Sequence, residues 1–207
     1  YIDASIVGDA DLQIDNIATL DSAVQGCVTF LSNSKYNKLL ESTKASAVIV
    51  KEGIKINNET TLLVCSDPYL AFAKLSNLFG GEIDFLNGSF QDSVFIHDSV
   101  NLGRDIKVGP NVYIGENCNI GDKTVIYPNS TILKDVSIGQ DCIVHPNSVL
   151  GSDGFGFAPE NESYQKIEQL GGLEIGANVE IGAGCTIDRG AISNTMIFDG
   201  VKLDNQI

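Results

Sequence analysis

The chain has 207 residues and a mass of 22.1 kDa, enough for one ample domain or two small ones, each able to bury a core. Apolar residues make up 43% and charged residues 19%, which excludes a disordered chain and a coiled coil. Lys+Arg is 13 against Asp+Glu 27, a net charge of −14; an excess of that sign repels phosphate backbones and anionic membrane surfaces, so no nucleic-acid partner is expected. No apolar run approaches the ~20 residues of a membrane span, and no signal-peptide pattern opens the chain. Cys27, Cys65, Cys118, Cys142 and Cys185 are odd in number, form no CxxC pair and do not cluster with His. That spacing supports neither a zinc site nor a disulfide framework, and it fits a reducing, cytoplasmic compartment.

Residues 1 to 88 read as a small α/β domain. TFLSNSKY (29–36) gathers Phe30, Asn33, Lys35 and Tyr36. Two aromatics with an amide between them can sandwich a nucleobase and hydrogen-bond its edge, and the same pair flanking a helix start can equally be core. A short helix is expected from about Ser34 to Leu40, and Ala47–Lys51 and Thr61–Cys65 read as strands. Asp67 and Pro68 start a second helix as N-cap and first-turn proline; Leu70, Phe72, Leu75 and Phe79 give its apolar side, and Gly80-Gly81 end it. Gly81–Gln91 reads as the linker.

From Asp92 onward the grammar changes. Every sixth residue is aliphatic: Ile96, Leu102, Val108, Ile114, Ile120, Ile126, Ile132, Ile138, Val144 and Leu150. Two positions before each stands a small or β-branched residue, as in Val112, Cys118, Thr124, Ser130, Cys142 and Ser148. Glycine follows the aliphatic site six times in these ten hexads, too often for a helix of period 3.6 or a strand of period 2. The period predicts a parallel β-helix, residues 89–207, in which each hexad forms one side of a coil. The aliphatic residue and the residue two before it point inward, because strand side chains alternate. Gly, Asn and Asp at the corners are expected to supply positive φ where the chain turns.

The register breaks after Leu150. Residues 152–172 carry no hexad, and a loop insertion of that length in a solenoid points to function or partner contact. Repeats resume at Leu173/Ile175, Val179/Ile181 and Cys185/Ile187, slip again over Arg189–Asn194, and return at Thr195/Ile197 and Val201/Leu203. His97 and His145 lie eight hexads apart, so they occupy different edges at different heights and cannot share a metal ion; no metal site is expected. Both read as solvent-facing corner residues. GSDGFG (151–156) is not a dinucleotide fingerprint; its glycines permit tight backbone beside Phe155, either as an exposed aromatic or as a packing one. Cys118, Cys142 and Cys185 read as core filler. Asp188 and Asp204 follow inward aliphatics, where each can orient a reacting group or stand as a solvated corner.

In several segments the chain resembles the UDP-3-O-acylglucosamine N-acyltransferases of lipid A biosynthesis: TFLSNSKY (29–36), KASAVIV (44–50), DPYLAFAKL (67–75), GSDGFGFA (151–158), VEIGAGCTIDRGA (179–191) and VKLDNQI (201–207). The resemblance implies an α/β uridine-binding domain followed by a left-handed hexapeptide β-helix. It implies transfer of a 3-hydroxyacyl chain from acyl carrier protein to the 2-amino group of UDP-3-O-acyl-glucosamine, in a homotrimer, with no metal or redox cofactor. Phe30 and Tyr36 match the family's uracil-stacking aromatics, and Asn33 a neighbouring nucleotide contact. Phe155 and Asp204 match positions lining the acceptor and acyl-donor cleft.

In the family a catalytic histidine follows the LDNQ motif, and this sequence ends at Ile207 before reaching one. The expectation is therefore a fragment, with a β-helix truncated at its C-terminal end. Without that general base, turnover should fall ~10²–10⁴-fold. Its open last coil should promote self-association. Two other readings remain: a hexapeptide acetyltransferase using acetyl-CoA on a nucleotide sugar, and a non-catalytic β-helix binding module.

Overall fold

Two units of different construction, Tyr1–Glu82 and Ile83–Ile207, make up the computed structural model. Residues 1–56, 59–81 and 93–207 are described; the expected boundary at 88/89 and the expected linker of 81–91, all but its first residue, lie outside them.

In the first unit, strands β1 (Ser5–Val7), β2 (Asn16–Ile17), β3 (Cys27–Phe30), β4 (Ala47–Val50) and β5 (Thr61–Val64) form one sheet in the order β1-β5-β4-β3-β2. Only β1 is antiparallel, paired with β5. The central strands are apolar at consecutive positions because both faces of a parallel sheet are covered. Cys27, Leu31, Val48 and Val50 pack one face with Leu20 and Leu40; Val28, Ile49 and Ala71 pack the other, with Phe30 and Phe72 against them. The short helix begins as a 3-10 turn, Ser34–Tyr36, and continues as α1 (Asn37–Ser42). Helix α2 runs Pro68–Ser76, its first turn capped by Asp67, whose carboxylate accepts from the N–H groups of Tyr69 and Leu70. Two expectations differ: Leu70 is exposed, with Ala71 taking the buried position one step on, and the helix ends at Ser76 with Asn77 as its C-cap, so Phe79 packs from the turn beyond it and Gly80-Gly81 do not end it.

The second unit is a left-handed parallel β-helix with three sides. Its first sheet stacks Ile96, Ile114, Ile132, Leu150 and Ile187 in register. The second stacks Leu102, Ile120, Ile138, Ile175 and Ile197, and the third Val108, Ile126, Val144, Ile181 and Leu203. Between its ends these side chains form one buried column; Ile96, Val108, Ile197 and Leu203 at the ends are partly buried and Leu102 is exposed. The small inward positions do more than fill it. Cys118, Cys142 and Cys185 are buried, and each thiol donates to a carbonyl of the next coil: Leu133 at 2.9 Å, Gly176 at 3.1 Å and Asp204 at 3.1 Å. Burial pushes the Cys118 and Cys142 thiols up from their ordinary pKa. Thr124, Ser130 and Ser148 donate in the same way to Gly139, His145 and Gly182. The acceptor is always the residue following the aliphatic site, so each of these bonds ties an inner side chain to the corner of the next coil.

The corners correct one expectation. Positive φ falls three residues before the aliphatic site, at Asp105, Asn111, Asn117, Lys123, Asn129, Asp135, Asp141 and Asn147, with φ between 55° and 62°. Asn and Asp tolerate that conformation through local side-chain hydrogen bonding. Among the glycines after the aliphatic site only Gly151 has positive φ. The others are there for space: a Cβ on Gly121 would meet the Gln140 nitrogen at 2.5 Å, and one on Gly109 the Pro128 nitrogen at 2.7 Å. Gly121→Ala is therefore expected to destabilise the β-helix by about 1–3 kcal/mol, the range for overpacking, because the obstructing atoms are backbone. Urea denaturation checks this, and an unchanged midpoint would show that the coils can spread.

The insertion is ordered as a hairpin, Phe157–Glu160 paired antiparallel with Ser163–Lys166, exposed throughout. Among the described residues no helix is long and apolar enough to cross a membrane.

Candidate functional site

The first unit holds a cavity of about 320 Å³ beside the carboxyl end of β3, where parallel sheets commonly bind ligands. Phe30 and Tyr36 both line it, with Thr19, Asp21, Thr29 and Ser32 among the polar groups. Phe30 is set by packing: its ring stacks on Phe72 at 4.2 Å and lies 5.9 Å from Tyr69. Tyr36 stands on the 3-10 turn and is 54% exposed, so little of it is committed to the core. Asn33 does not line the cavity; its Oδ1 accepts from the Lys35 N–H at 3.0 Å and caps the turn that carries Tyr36. Asp21 Oδ1 accepts from the Thr19 hydroxyl at 2.6 Å, and that bond holds its carboxyl below the usual range. Thr29 is fully buried, and its hydroxyl has no hydrogen-bond partner among the described residues. Burying such a group unpaired costs about 1–3 kcal/mol, so it is an unusual residue for the wall of a pocket lined by Leu20, Leu31 and Leu39.

On the β-helix, the other expected site residues lie apart. Phe155 is 95% exposed, in the insertion that leaves the first sheet after Leu150. Asp204 is exposed at a corner following Leu203 of the third sheet, its Oδ1 accepting from the Asn205 N–H. Within one copy they belong to different corners of the coil. The histidines are likewise on different sheets. His97 follows Ile96, with Nδ1 at 2.8 Å from the Ser99 hydroxyl; His145 follows Val144, with Nε2 at 2.9 Å from Glu180 Oε1 and its ring stacked on Tyr127. Among the described residues no three His, Cys, Asp or Glu side chains group so as to hold a metal ion.

Comparison with known proteins matches both units. Residues 11–78 match the family model of UDP-3-O-(3-hydroxymyristoyl) glucosamine N-acyltransferase, LpxD, and residues 90–154 match that of the GMPPB C-terminal domain. A UDP-3-O-acylglucosamine N-acyltransferase of Delftia acidovorans is 50% identical over 97% of this chain and 61% of its own length. The chain is homologous to the UDP-3-O-acylglucosamine N-acyltransferases. Proteins of that name from Pseudomonas aeruginosa and Syntrophotalea carbinolica are 45% and 46% identical over 100% of the chain, and 64% and 65% of their own lengths. The chain thus spans a little under two thirds of these acyltransferases. Among solved structures, a mutant GDP-perosamine N-acetyl transferase from Caulobacter crescentus aligns over 94% of this chain and 96% of its own at 17% identity, with a TM-score of 0.38, too slight a likeness to argue from.

Two groups at these sites carried no sequence signal as functional residues. Thr29 is hidden in an apolar strand, where only its being the one hydroxyl between Val28 and Phe30 marks it. Arg189 stands inside TIDRGA, at the start of the register slip, and its side chain is 4% exposed. Its Nε donates to the Gly171 carbonyl at 2.7 Å, and a terminal guanidinium nitrogen to Asp135 Oδ2 at 3.0 Å, which holds the Asp135 carboxyl below its ordinary range. Asp188, beside it, accepts from the Ser152 hydroxyl at 2.5 Å and is not a free corner.

Proposed function

We propose that this chain serves N-acyl transfer, moving a 3-hydroxyacyl group from acyl carrier protein to the 2-amino group of UDP-3-O-acyl-glucosamine, a cytoplasmic step of lipid A biosynthesis. The observation that carries the reading is identity of 45–50% running through both units to proteins named for that activity. In this reading the uracil lies between Phe30 and Tyr36 in the β3 cavity. Its edge offers one N–H donor and two carbonyl acceptors. Asp21 can accept the donor, while Asn33, outside the cavity, caps the turn that carries Tyr36. Phe155 and Asp204 stand on different corners, so they line one cleft only where two copies of the β-helix meet. In this reading the copies form a homotrimer with its cleft between neighbours.

The chemistry is attack of the amine on a thioester carbonyl. The N–C bond forms, the C–S bond breaks, the carrier thiol leaves and the amine gives up a proton to a base; backbone N–H groups stabilise the oxyanion. The thioester is already activated, so the reaction asks for no redox cofactor.

The test is calorimetric titration of this chain with UDP, UDP-3-O-acyl-glucosamine and GDP, beside an acyl-transfer assay. Saturable binding of both uridine nucleotides, with GDP excluded, and N-acylation from acyl carrier protein are expected. Acetylation from acetyl-CoA with no affinity for uridine nucleotides would replace this reading with the nucleotide-sugar acetyltransferase.

A further inference from the structure

The two ends of the insertion are fastened to the same few residues. At its start, the Ser152 hydroxyl donates to Asp188, and the Arg189 N–H donates to the Ser152 carbonyl at 2.8 Å. At its end, the Gly171 N–H donates to the Gly190 carbonyl at 2.9 Å, the Leu170 N–H to the Ala191 carbonyl at 2.9 Å, and the Gly171 carbonyl accepts from Arg189 Nε. The guanidinium then reaches the adjacent coil at Asp135, which also accepts from the Asn117 amide at 3.3 Å. Asp188, Arg189, Gly190 and Ala191 therefore close a clasp on both roots of the hairpin at once.

A buried guanidinium loses its hydration, and the residues two after the aliphatic site on the other coils of this sheet are not buried in this way: Glu116 and Lys134 are exposed and Ser152 is half-buried. What the clasp holds is an arm with an apolar edge. Phe155, Phe157 and Tyr164 form a chain of ring contacts, with centroids 5.1 and 6.5 Å apart, and Tyr164 is 73% exposed. The Lys166–Asp153 ion pair ties the arm across its own base. An exposed aromatic edge on an untethered hairpin would sample many directions, at an entropic cost on meeting a ligand.

We propose that Arg189, supported by Asp188, is a positioning residue that fixes the direction of the Phe155–Phe157–Tyr164 edge, so that the edge meets the apolar chain of an acylated nucleotide sugar. The fastening stands on the geometry; the ligand rests on the function proposed above.

The test uses Arg189→Ala, with amide hydrogen exchange across 153–170 and calorimetry with UDP and UDP-3-O-acyl-glucosamine. Exchange in the insertion should rise about tenfold or more while the amides of Ile126 and Ile132 keep their protection, since local opening leaves the column closed. Millimolar methylguanidinium should slow the exchange again, and methylammonium should not, because only the planar fork reaches both acceptors. UDP affinity should be unchanged, and affinity for the acylated sugar should fall about tenfold towards that of UDP. Should Arg189→Ala fail to fold, Ser152→Ala removes the Asp188 bond alone and should loosen Asp153–Gly156 selectively. Unchanged exchange in the insertion, equal rescue by methylammonium, or a parallel loss of both affinities would overturn the proposal. If the unaltered chain binds no uridine nucleotide, the functional reading fails, and the exchange and rescue results still decide the clasp.

Discussion

Ile132→Ala is expected to cost about 2–5 kcal/mol, the range for removing a large aliphatic from a closed core, and to fall in its upper half. Ile132 is the middle of five stacked residues on the first sheet, fully buried between Ile114 and Leu150, which are buried as completely. A cavity there has little means of closing. The backbone ladder sets the coil spacing on both sides, from the Gly115 N–H donating to the Ile132 carbonyl at 2.8 Å to the Leu133 N–H donating to the Leu150 carbonyl at 2.9 Å. The neighbouring corner is already tight, with a Cβ on Gly115 meeting the Lys134 nitrogen at 3.0 Å. Ile96 sits at the end of the same stack and is only partly buried, so Ile96→Ala should cost less than half as much, because the missing contacts are replaced by water. Urea unfolding of the two variants measures the difference. Equal costs would mean that the column does not act as one continuous core.

The β-helix was legible because the constraint repeats: each side of each coil must turn the same two residues inward, and the period of six survives any local noise. The inner positions were legible only as small. That Thr124, Ser130, Ser148 and Cys118, Cys142 and Cys185 all bond a corner carbonyl depends on the offset between coils, which a single hexad does not show. The glycines misled for a related reason. Their composition suits a positive φ, whereas the force acting on them is the approach of the next coil. In the first unit, β4 and β5 had the apolar runs of buried strands, and β1 did not: Ser5, Ile6 and Val7 are exposed and are held by pairing alone. At the site, the shared cavity of Phe30 and Tyr36 was foreshadowed by their pairing in TFLSNSKY. The part of Asn33 was not, because an amide at a helix start can face a ligand or its own backbone, and here its oxygen faces the backbone. Arg189 escaped because its partners, Gly171 and Asp135, are 18 and 54 residues away.

Tyr36→Ala should lower affinity for UDP about 10–100-fold, since stacking a base on an aromatic contributes ~1–3 kcal/mol. It is a cleaner probe than Phe30→Ala. Phe30 stacks on Phe72 and packs against the Val28–Ile49 face, so its loss opens a cavity in the core as well as in the pocket. Tyr36 is 54% exposed, contributes to no buried cluster, and stands on a turn capped independently by Asn33. Removing its ring should leave the thermal midpoint within about a degree or two, as surface changes away from packed groups do. Tyr36→Phe should keep most of the affinity, because the stack uses the ring face rather than the hydroxyl. The measurement is UDP titration by calorimetry on the three proteins, with a melting curve for each. Retained affinity in Tyr36→Ala at an unchanged midpoint would remove the uracil from this cavity. A fall in affinity confined to Tyr36→Ala, with Tyr36→Phe unaffected, is the pattern that only a ring-on-ring contact produces: an altered fold would lower the midpoint too, and a hydroxyl contact would weaken both variants alike.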